Sequence, residues 1–482
     1  MSVRVRFAPS PTGLLHIGGA RTALYCQLYA LANNGSYILR IEDTDLERSK
    51  REFEQKMIED LAWCGVFHNE GPDKPGDFGP YRQSERIELY RELAQKLVDE
   101  GKAYPCFLTD EELEELTERA KVEKKAPHAY HGKYRDLDLT EAKRRIDSGE
   151  THVIRFKNPM KKFTFTDIVR GEVTFPEDMV GDFVIMRSNG MPVYNFCCTI
   201  DDWKMEMTHV MRAEEHLNNT LRQLMIYEAL NVVPPQFAHC SLLVGEDRQK
   251  LSKRHGATSV VQYKEQNYLP QALMNYLCLL GWSHPDELDV FNMEDIVPIF
   301  DLSRFSKSPA LYDIEKLNHF NGEHMRKLSS EQLLAYLLPT LSLDHPVHGQ
   351  THEWQIRCFE FFKEKINTPK ELPEHLNVLF STDLTLSDEA KEIESWETTS
   401  QIKDFVQAEV KRIASTGAKF LTEDEFKSFT DHCKKELKIK GKQLFKGMRF
   451  VLTGMTEGPD LKVIIPLTPL ETLLKRFESG EC

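Results

Sequence analysis

The chain has no Cys-x-x-Cys pair; its ten cysteines are scattered, and only Cys197 and Cys198 are adjacent. That excludes zinc-finger spacing and predicts small, buried, apolar thiols in a reducing compartment. No apolar run approaches the roughly eighteen residues that a membrane span needs. The N-terminus, MSVRVRFAPSP, lacks the charged-then-apolar pattern of a secretory signal. Together these absences predict a cytoplasmic protein. Positive charge is also in deficit, with 62 Lys and Arg against 76 Asp and Glu, a formal net charge of -14. An average field of that sign opposes indiscriminate binding of phosphate backbones and leaves RNA to local basic surfaces. No repeat of fixed period and no low-complexity linker divides the chain, so domain boundaries rest on pattern alone.

What is present is a soluble, globular composition, 40% hydrophobic and 29% charged over 482 residues, long enough for several domains. In VRVRF, Val3, Val5 and Phe7 alternate with Arg4 and Arg6, which predicts a strand; the prolines and glycine of APSPTG break it. Beyond Gly19, the residues Ala20, Leu24, Leu28 and Leu31 recur at helical spacing, and Asn33, Asn34 and Gly35 form a C-cap signal. SYILRIEDTD then predicts a second strand that runs into an acidic turn. Strand, glycine turn, helix and strand make a βαβ unit, whose loops at the C-terminal ends of parallel strands face the ligand side of the sheet. Ser10, His16, Gly18 and Gly19 are thereby placed beside Glu42, Asp43 and Asp45.

Helices are expected from Arg48 to Trp63 and from Ser84 to Gly101. From Tyr104 to Gly190 a Glu- and Lys-rich helical piece precedes the strand-like HVIRFK, FTFTDIV and DFVIMRS, which suggests an insertion with its own small core. From Met191 a strand-like VYNFCCTIDD and a helix MRAEEHLNNTLRQLMIYEAL resume the α/β pattern. The tail is helical by its i, i+3, i+4 repeats in SSEQLLAYLLPTL, HEWQIRCFEFFKEKI and SQIKDFVQAEVKRIAS. In KKELKIKGKQLFKGMR seven cations face the single acid Glu436. That stretch reads either as a solvated helix face followed by a loop or as a local RNA-binding surface.

Two short motifs carry phosphate chemistry: HIGG at His16 to Gly19, and KLSKR at Lys250 to Arg254. Glycines at a helix N-terminus allow close approach to free N–H groups that favour anions. His16 can donate to a phosphate oxygen, Lys250 and Lys253 bring mobile positive charge, and Ser252 adds a donor. Alone, the first motif is most often just a turn and the second a solvated basic loop. Their pairing after a strand and before a helix favours an ATP site. When ATP activates a carboxylate, that carboxylate is itself the nucleophile, so the protein has to align groups and neutralise charge rather than attack.

RFAPSPTGLLHIGGARTALY, LRIEDTDLERS, GPYRQSER, MRAEEH and KLSKRHGA occur in the order seen in bacterial glutamyl-tRNA synthetases of class I, which the whole chain resembles. HIGG looks like the HIGH signature of that class and KLSKR like its KMSKS loop. The resemblance implies an α/β fold: a Rossmann-type parallel-sheet catalytic domain in two halves, 1–103 and 191–240, split by an α+β connective-peptide insertion at 104–190. A stem-contact domain at 241–325 holds KLSKR, and a mainly helical anticodon-binding region follows at 326–482, with a subdomain boundary near 380. The implied substrates are L-glutamate, ATP with Mg2+, and tRNA-Glu, with tRNA-Gln left open. The product of the first step is glutamyl-adenylate, formed with tRNA bound, and transfer goes to the 2'-hydroxyl of the terminal adenosine.

By motif position the resemblance gives His16, Lys250 and Lys253 to catalysis. His16, Gly18, Gly19, Glu215, Leu243, Ser252 and Lys253 fall to ATP, with Leu243 acting through its backbone while its side chain is equally well core. Arg6, Tyr194 and Arg212 fall to the side-chain carboxylate of glutamate. Ala8, Ser10 and Glu42 fall to its ammonium, and Cys198 stands beside them. Taken without the resemblance, Arg6 is an exposed strand residue and Glu42 an ordinary acidic turn. Lys363, Lys365, Lys442 and Lys446 are the candidate tRNA contacts.

The chain departs from the family pattern in places. Cys106 stands alone where some members have closely spaced cysteines for zinc, and Tyr134 stands near another ligand position, so no zinc is expected. Cys198 falls where some relatives have asparagine, and His216 where some have tryptophan. The protein is expected to be a monomer. Competing readings are a small-metabolite nucleotidyltransferase active without RNA and a non-catalytic RNA-binding relative. A shorter relative that modifies tRNA-Asp lacks the tail, and glutaminyl enzymes carry a β-barrel there.

Overall fold

A computed structural model describes residues 2–126, 128, 131–252, 256, 258–382 and 386–478. The opening alternation forms the strand Arg4–Phe7, paired in parallel with Ser36–Leu39 so that Arg4 registers with Ser36 and Phe7 with Leu39. Helix Ile17–Ala32 connects the two. At the end of that helix, two residues share the turn. Asn34 takes the left-handed conformation at φ 50°, while Gly35 passes so near the first strand that a Cβ would lie 2.3 Å from the Val3 carbonyl oxygen. Asparagine tolerates the first and only glycine the second.

A second parallel pair, His209–Ala213 with Gln236–Cys240, is connected by the helix Leu217–Ala229. The two pairs abut where Thr208 N–H donates to the Arg4 carbonyl at 2.9 Å. On the outer side, the strand Phe163–Asp167 pairs antiparallel with Gly171–Phe175 and joins the sheet through Asp167 opposite Phe237. The strands Ala103–Cys106, Val153–Phe156 and Phe183–Met186 form a separate antiparallel sheet.

From the segment Tyr104 to Gly190, Phe156, Phe163, Phe175 and Ile185 join one buried cluster with Phe196, Val210, Leu221 and Phe237. Two expectations change. VYNFCCTIDD is not a strand, because Tyr194–Lys204 is a helix. Every residue from Phe196 to Asp202 is buried, so no polar face reveals the helical period. The helix placed at MRAEEH begins only at Leu217; its first residues end the strand His209–Ala213.

The chain divides into two units, Met1–Phe320 and Asn321–Cys482, with the division inside the helix Ile314–Arg326. The second unit is helical, and no strand occurs among its described residues. It is tied internally by the fully buried Arg476, which donates to the carbonyls of Val378, Ser381 and Leu452 at 2.7–2.9 Å. The basic stretch KKELKIKGKQLFKGMR is not one helix face. It spans the end of Glu423–Lys435 and the start of Gly441–Thr453. Among the described residues no helix is long and apolar enough to cross a membrane.

Candidate active site

Three guanidiniums and three carboxylates meet behind the ends of the first two strands. Arg6 donates Nε and Nη2 to Asp202 at 2.9 and 3.2 Å. Arg40, fully buried, donates to Asp202 at 2.6 Å and to Glu42 at 3.1 Å, and Arg86 donates to Asp201 at 2.8 Å. Such charges persist in a core only when each is paired. Burial alone would raise the Asp202 pKa; the Arg40 and Arg6 guanidiniums outweigh it and bring the carboxyl to about 2. Burial dominates at Glu42 and Asp201, whose pKa values rise despite the same cations. The Cys198 thiol lies 3.5 Å from Arg40 and 3.6 Å from Asp202, and burial pushes it up to about 12. Arg6 is therefore not the exposed strand residue of a plain reading, and it reaches any ligand already committed to Asp202.

Asp201, Asp202 and Arg40 were not among the candidates. Arg40 had a visible signal, a charged residue between Leu39 and Ile41 in an otherwise apolar strand. The aspartates had none, because the stretch holding them read as a strand.

On the open side, Glu42 N–H donates to the Pro9 carbonyl at 2.9 Å, which brings half-buried Ala8 and exposed Ser10 alongside Glu42. Tyr194 lies within the fields of Arg212, Glu42 and Arg6, and its ring is 5.9 Å from that of His216. Burial, then the Arg212 charge, lowers the His216 pKa to about 4. Arg212 is buried and donates to His239 at 3.1 Å, Thr220 at 2.7 Å and Gln223 at 2.8 Å. Its Nη1 is buried and has no hydrogen-bond partner among the described residues.

The nucleotide motifs are brought together by the backbone. Ile17 N–H donates to the Thr258 carbonyl and Val260 N–H to the Leu15 carbonyl, each at 2.9 Å, so the chain leaving KLSKR returns directly to HIGG. His16 caps its helix, its Nδ1 accepting from Gly18 N–H at 3.1 Å. Burial and the Lys250 charge lower its pKa, so at neutral pH the ring is neutral with its proton on Nε2. Lys250 forms an ion pair with Glu215. Ser252 is half-buried next to residues 253–255, so the position predicted for Lys253 lies outside the described residues.

Two assignments on this side take a different form. Gly19 packs inward, where a Cβ would stand 3.2 Å from Leu15 and 3.3 Å from Phe7, so its lack of a side chain serves packing rather than ligand approach. Leu243 is buried and its carbonyl accepts from Leu251 N–H at 2.9 Å.

Away from this pocket, Lys363 pairs with Glu360 at 2.5 Å and Lys446 with Glu389, while Lys365 and Lys442 are exposed. Among the described residues no group of three or more His, Cys, Asp or Glu is placed to hold a metal ion. Around Cys106 the local order is aromatic instead, with Arg145 over the rings of Phe107 at 4.1 Å and Tyr134 at 5.0 Å.

This pairing of a strand-ended acid–guanidinium pocket with a histidine–glycine helix start is the arrangement of a known class. Residues 2–319 match the family model for the catalytic domain of class I tRNA synthetases (E and Q), and residues 329–480 match that for an anticodon binding domain. The chain belongs to the class I tRNA synthetases. It is 43% identical to the glutamate–tRNA ligase of Bdellovibrio bacteriovorus, over 99% of this chain and 98% of that one. It is 45% identical to the glutamate–tRNA ligase of Carboxydothermus hydrogenoformans, over 97% and 98%. The crystal structure of a glutamate tRNA ligase from Elizabethkingia meningosepticum in complex with its amino acid superposes with a TM-score of 0.89 at 30% identity, covering 100% of this chain and 99% of that one. Within the class, then, the family is that of the glutamate–tRNA ligases, as the motif order predicted.

Proposed function

We propose that the protein activates L-glutamate with ATP and transfers it to the terminal adenosine of tRNA-Glu. The observation that carries this reading is that the pocket gathers both charges around one ring: Arg212, whose buried Nη1 has no hydrogen-bond partner among the described residues, Arg6 and Glu42 all act on Tyr194. A dianionic amino acid with one ammonium fits that pattern, its side-chain carboxylate on Arg212, Arg6 and Tyr194 and its ammonium against Glu42, Ser10 and the Ala8 carbonyl. Cys198 backs the pocket through Arg6 and Arg40.

The α-carboxylate then attacks the α-phosphorus; the new C–O–P bond forms as the bond to the β-phosphate breaks and pyrophosphate leaves. His16, neutral and protonated on Nε2, donates to a phosphate oxygen without competing for a proton, while Gly18 keeps the helix start open and the Leu243 backbone meets the base. Lys250 and Lys253, with Ser252, neutralise the departing pyrophosphate. Glu215 is the local carboxylate that would face a Mg2+ brought in with ATP, which would supply positive charge to the phosphates. In the second step the 2'-hydroxyl of the terminal ribose attacks the glutamyl carbonyl and AMP leaves. The 104–190 segment takes the acceptor end, 241–325 the stem and 326–482 the anticodon, with Lys365 and Lys442 as its free cations. The nine cysteines among the described residues are buried and free, which supports a reducing, cytoplasmic setting.

Aminoacylation of purified tRNA-Glu and tRNA-Gln with labelled glutamate tests the reading. Charging of tRNA-Glu is expected, and charging of both would define a non-discriminating enzyme. Failure with both overturns it, and full pyrophosphate exchange without tRNA would favour a metabolite nucleotidyltransferase.

A further inference from the structure

A hairpin of the inserted segment reaches the amino-acid pocket through three side chains. Asp167 ends the strand Phe163–Asp167, and its Oδ1 accepts from Val169 N–H at 2.9 Å and Arg170 N–H at 2.8 Å, which fixes the carboxylate across the turn. Its Oδ2 accepts from His239 Nδ1 at 2.6 Å. His239 is fully buried, and its Nε2 faces two donors, Arg212 Nε at 3.1 Å and Thr220 Oγ1 at 3.1 Å. A ring nitrogen can accept from a guanidinium only through a lone pair, so the proton sits on Nδ1, where Asp167 takes it.

Charge around the ring agrees with a neutral imidazole. Burial, then the Arg212 charge, lowers its pKa against the opposing pull of Asp167. Arg170 donates to the His239 carbonyl at 3.3 Å and is itself ion-paired with Glu214. Arg212 is therefore held at Nε by His239 and at Nη2 by Thr220 and Gln223, and Nη1 is the end left over. With two corners of a planar group fixed, the direction of the third is set.

We propose that Asp167 and His239 are positioning residues for substrate glutamate: Asp167 imposes the tautomer with which His239 aims Arg212 at the side-chain carboxylate. The proposal rests on the reading of Arg212 as that carboxylate's partner. Its consequence is specific. In Asp167→Asn the turn N–H groups keep the amide oxygen, the amide NH2 faces Nδ1, and the ring proton moves to Nε2, where it opposes the Arg212 donor.

The test is steady-state aminoacylation by the full chain with separate KM values for glutamate and ATP. Asp167→Asn is expected to raise the KM for glutamate about tenfold and leave that for ATP unchanged. His239→Asn keeps the donor toward Asp167 but drops the acceptor toward Arg212, and is expected to raise the glutamate KM similarly. His239→Gln accepts through its amide oxygen without a tautomer, so adding Asp167→Asn in that background should change nothing further. An Asp167→Asn effect of equal size in both backgrounds, or one that moves both KM values together, overturns the proposal. Arg212→Gln separates the two levels. If it leaves the glutamate KM unchanged, the pocket reading fails and takes the proposal with it; if it raises the KM while Asp167→Asn is silent, only the proposal fails.

Discussion

Asp202 shows how much a single residue outside every motif decides. It holds Arg6 and Arg40 at once, and removing it leaves buried Arg6 without its carboxylate and Arg40 with only Glu42 and Asp201. Asp202→Ala is expected to cost about 3–5 kcal/mol in urea denaturation. Its pKa gives a pH signature too. The folded value of about 2 lies below the ordinary 3.8, so the stability it contributes is complete above 3.8 and is lost as pH falls toward 2. Acid unfolding of Asp202→Asn should lack that component. His216 behaves the same way in a milder range: its folded value of about 4 lies below 6.5, so its contribution is full above 6.5 and lost as pH falls through 4. Thermal midpoints of His216→Asn between pH 7.5 and about 4 should therefore fall less steeply than those of the wild type. The motif residues were legible because their chemistry is local. Asp202 was not, since its meaning comes from two arginines distant in sequence, one on the first strand and one just past the second.

At the scale of elements, the βαβ opening was readable from alternation, helical spacing and the turn residues, and the strands of the inserted segment from their apolar runs. The helix Tyr194–Lys204 was not, because a helix buried on all sides has no face for periodicity to report. Gly35 was read with Asn33 and Asn34 as a C-cap signal; its N–H does close the helix on the Ala30 carbonyl at 2.8 Å, and its missing side chain also gives clearance beneath the first strand. Gly35→Ala should consequently cost about 1–3 kcal/mol, the range of core overpacking, rather than gain the stability that an alanine brings to a permissive site. Urea denaturation of the variant checks the sign as well as the size.

For the whole molecule, a net charge of -14 means that tRNA must be met by a few free cations against an opposing average field. Lys442 is exposed, whereas Lys363 already sits on Glu360 at 2.5 Å. In the plot of log affinity for tRNA-Glu against log salt, Lys442→Ala should reduce the slope by about 0.7–0.9, and Lys363→Ala should leave it unchanged. A common loss in both variants would mean that the Glu360 pair opens on binding.

The sequence by itself determined the class and the order of the two units, because HIGG, KLSKR and the other ordered motifs are local runs of a few residues, and by resemblance it named Arg6, Glu42, Tyr194 and Arg212. Only the tertiary structure decided how the buried charges are partnered. Arg6, Arg40, Asp202, Arg212, His239 and Asp167 come from six separate segments, and each is tolerable in a core only because its partners are there. Which carboxylate neutralises which guanidinium, and which guanidinium end remains for a ligand, are properties of that packing and not of any run of residues.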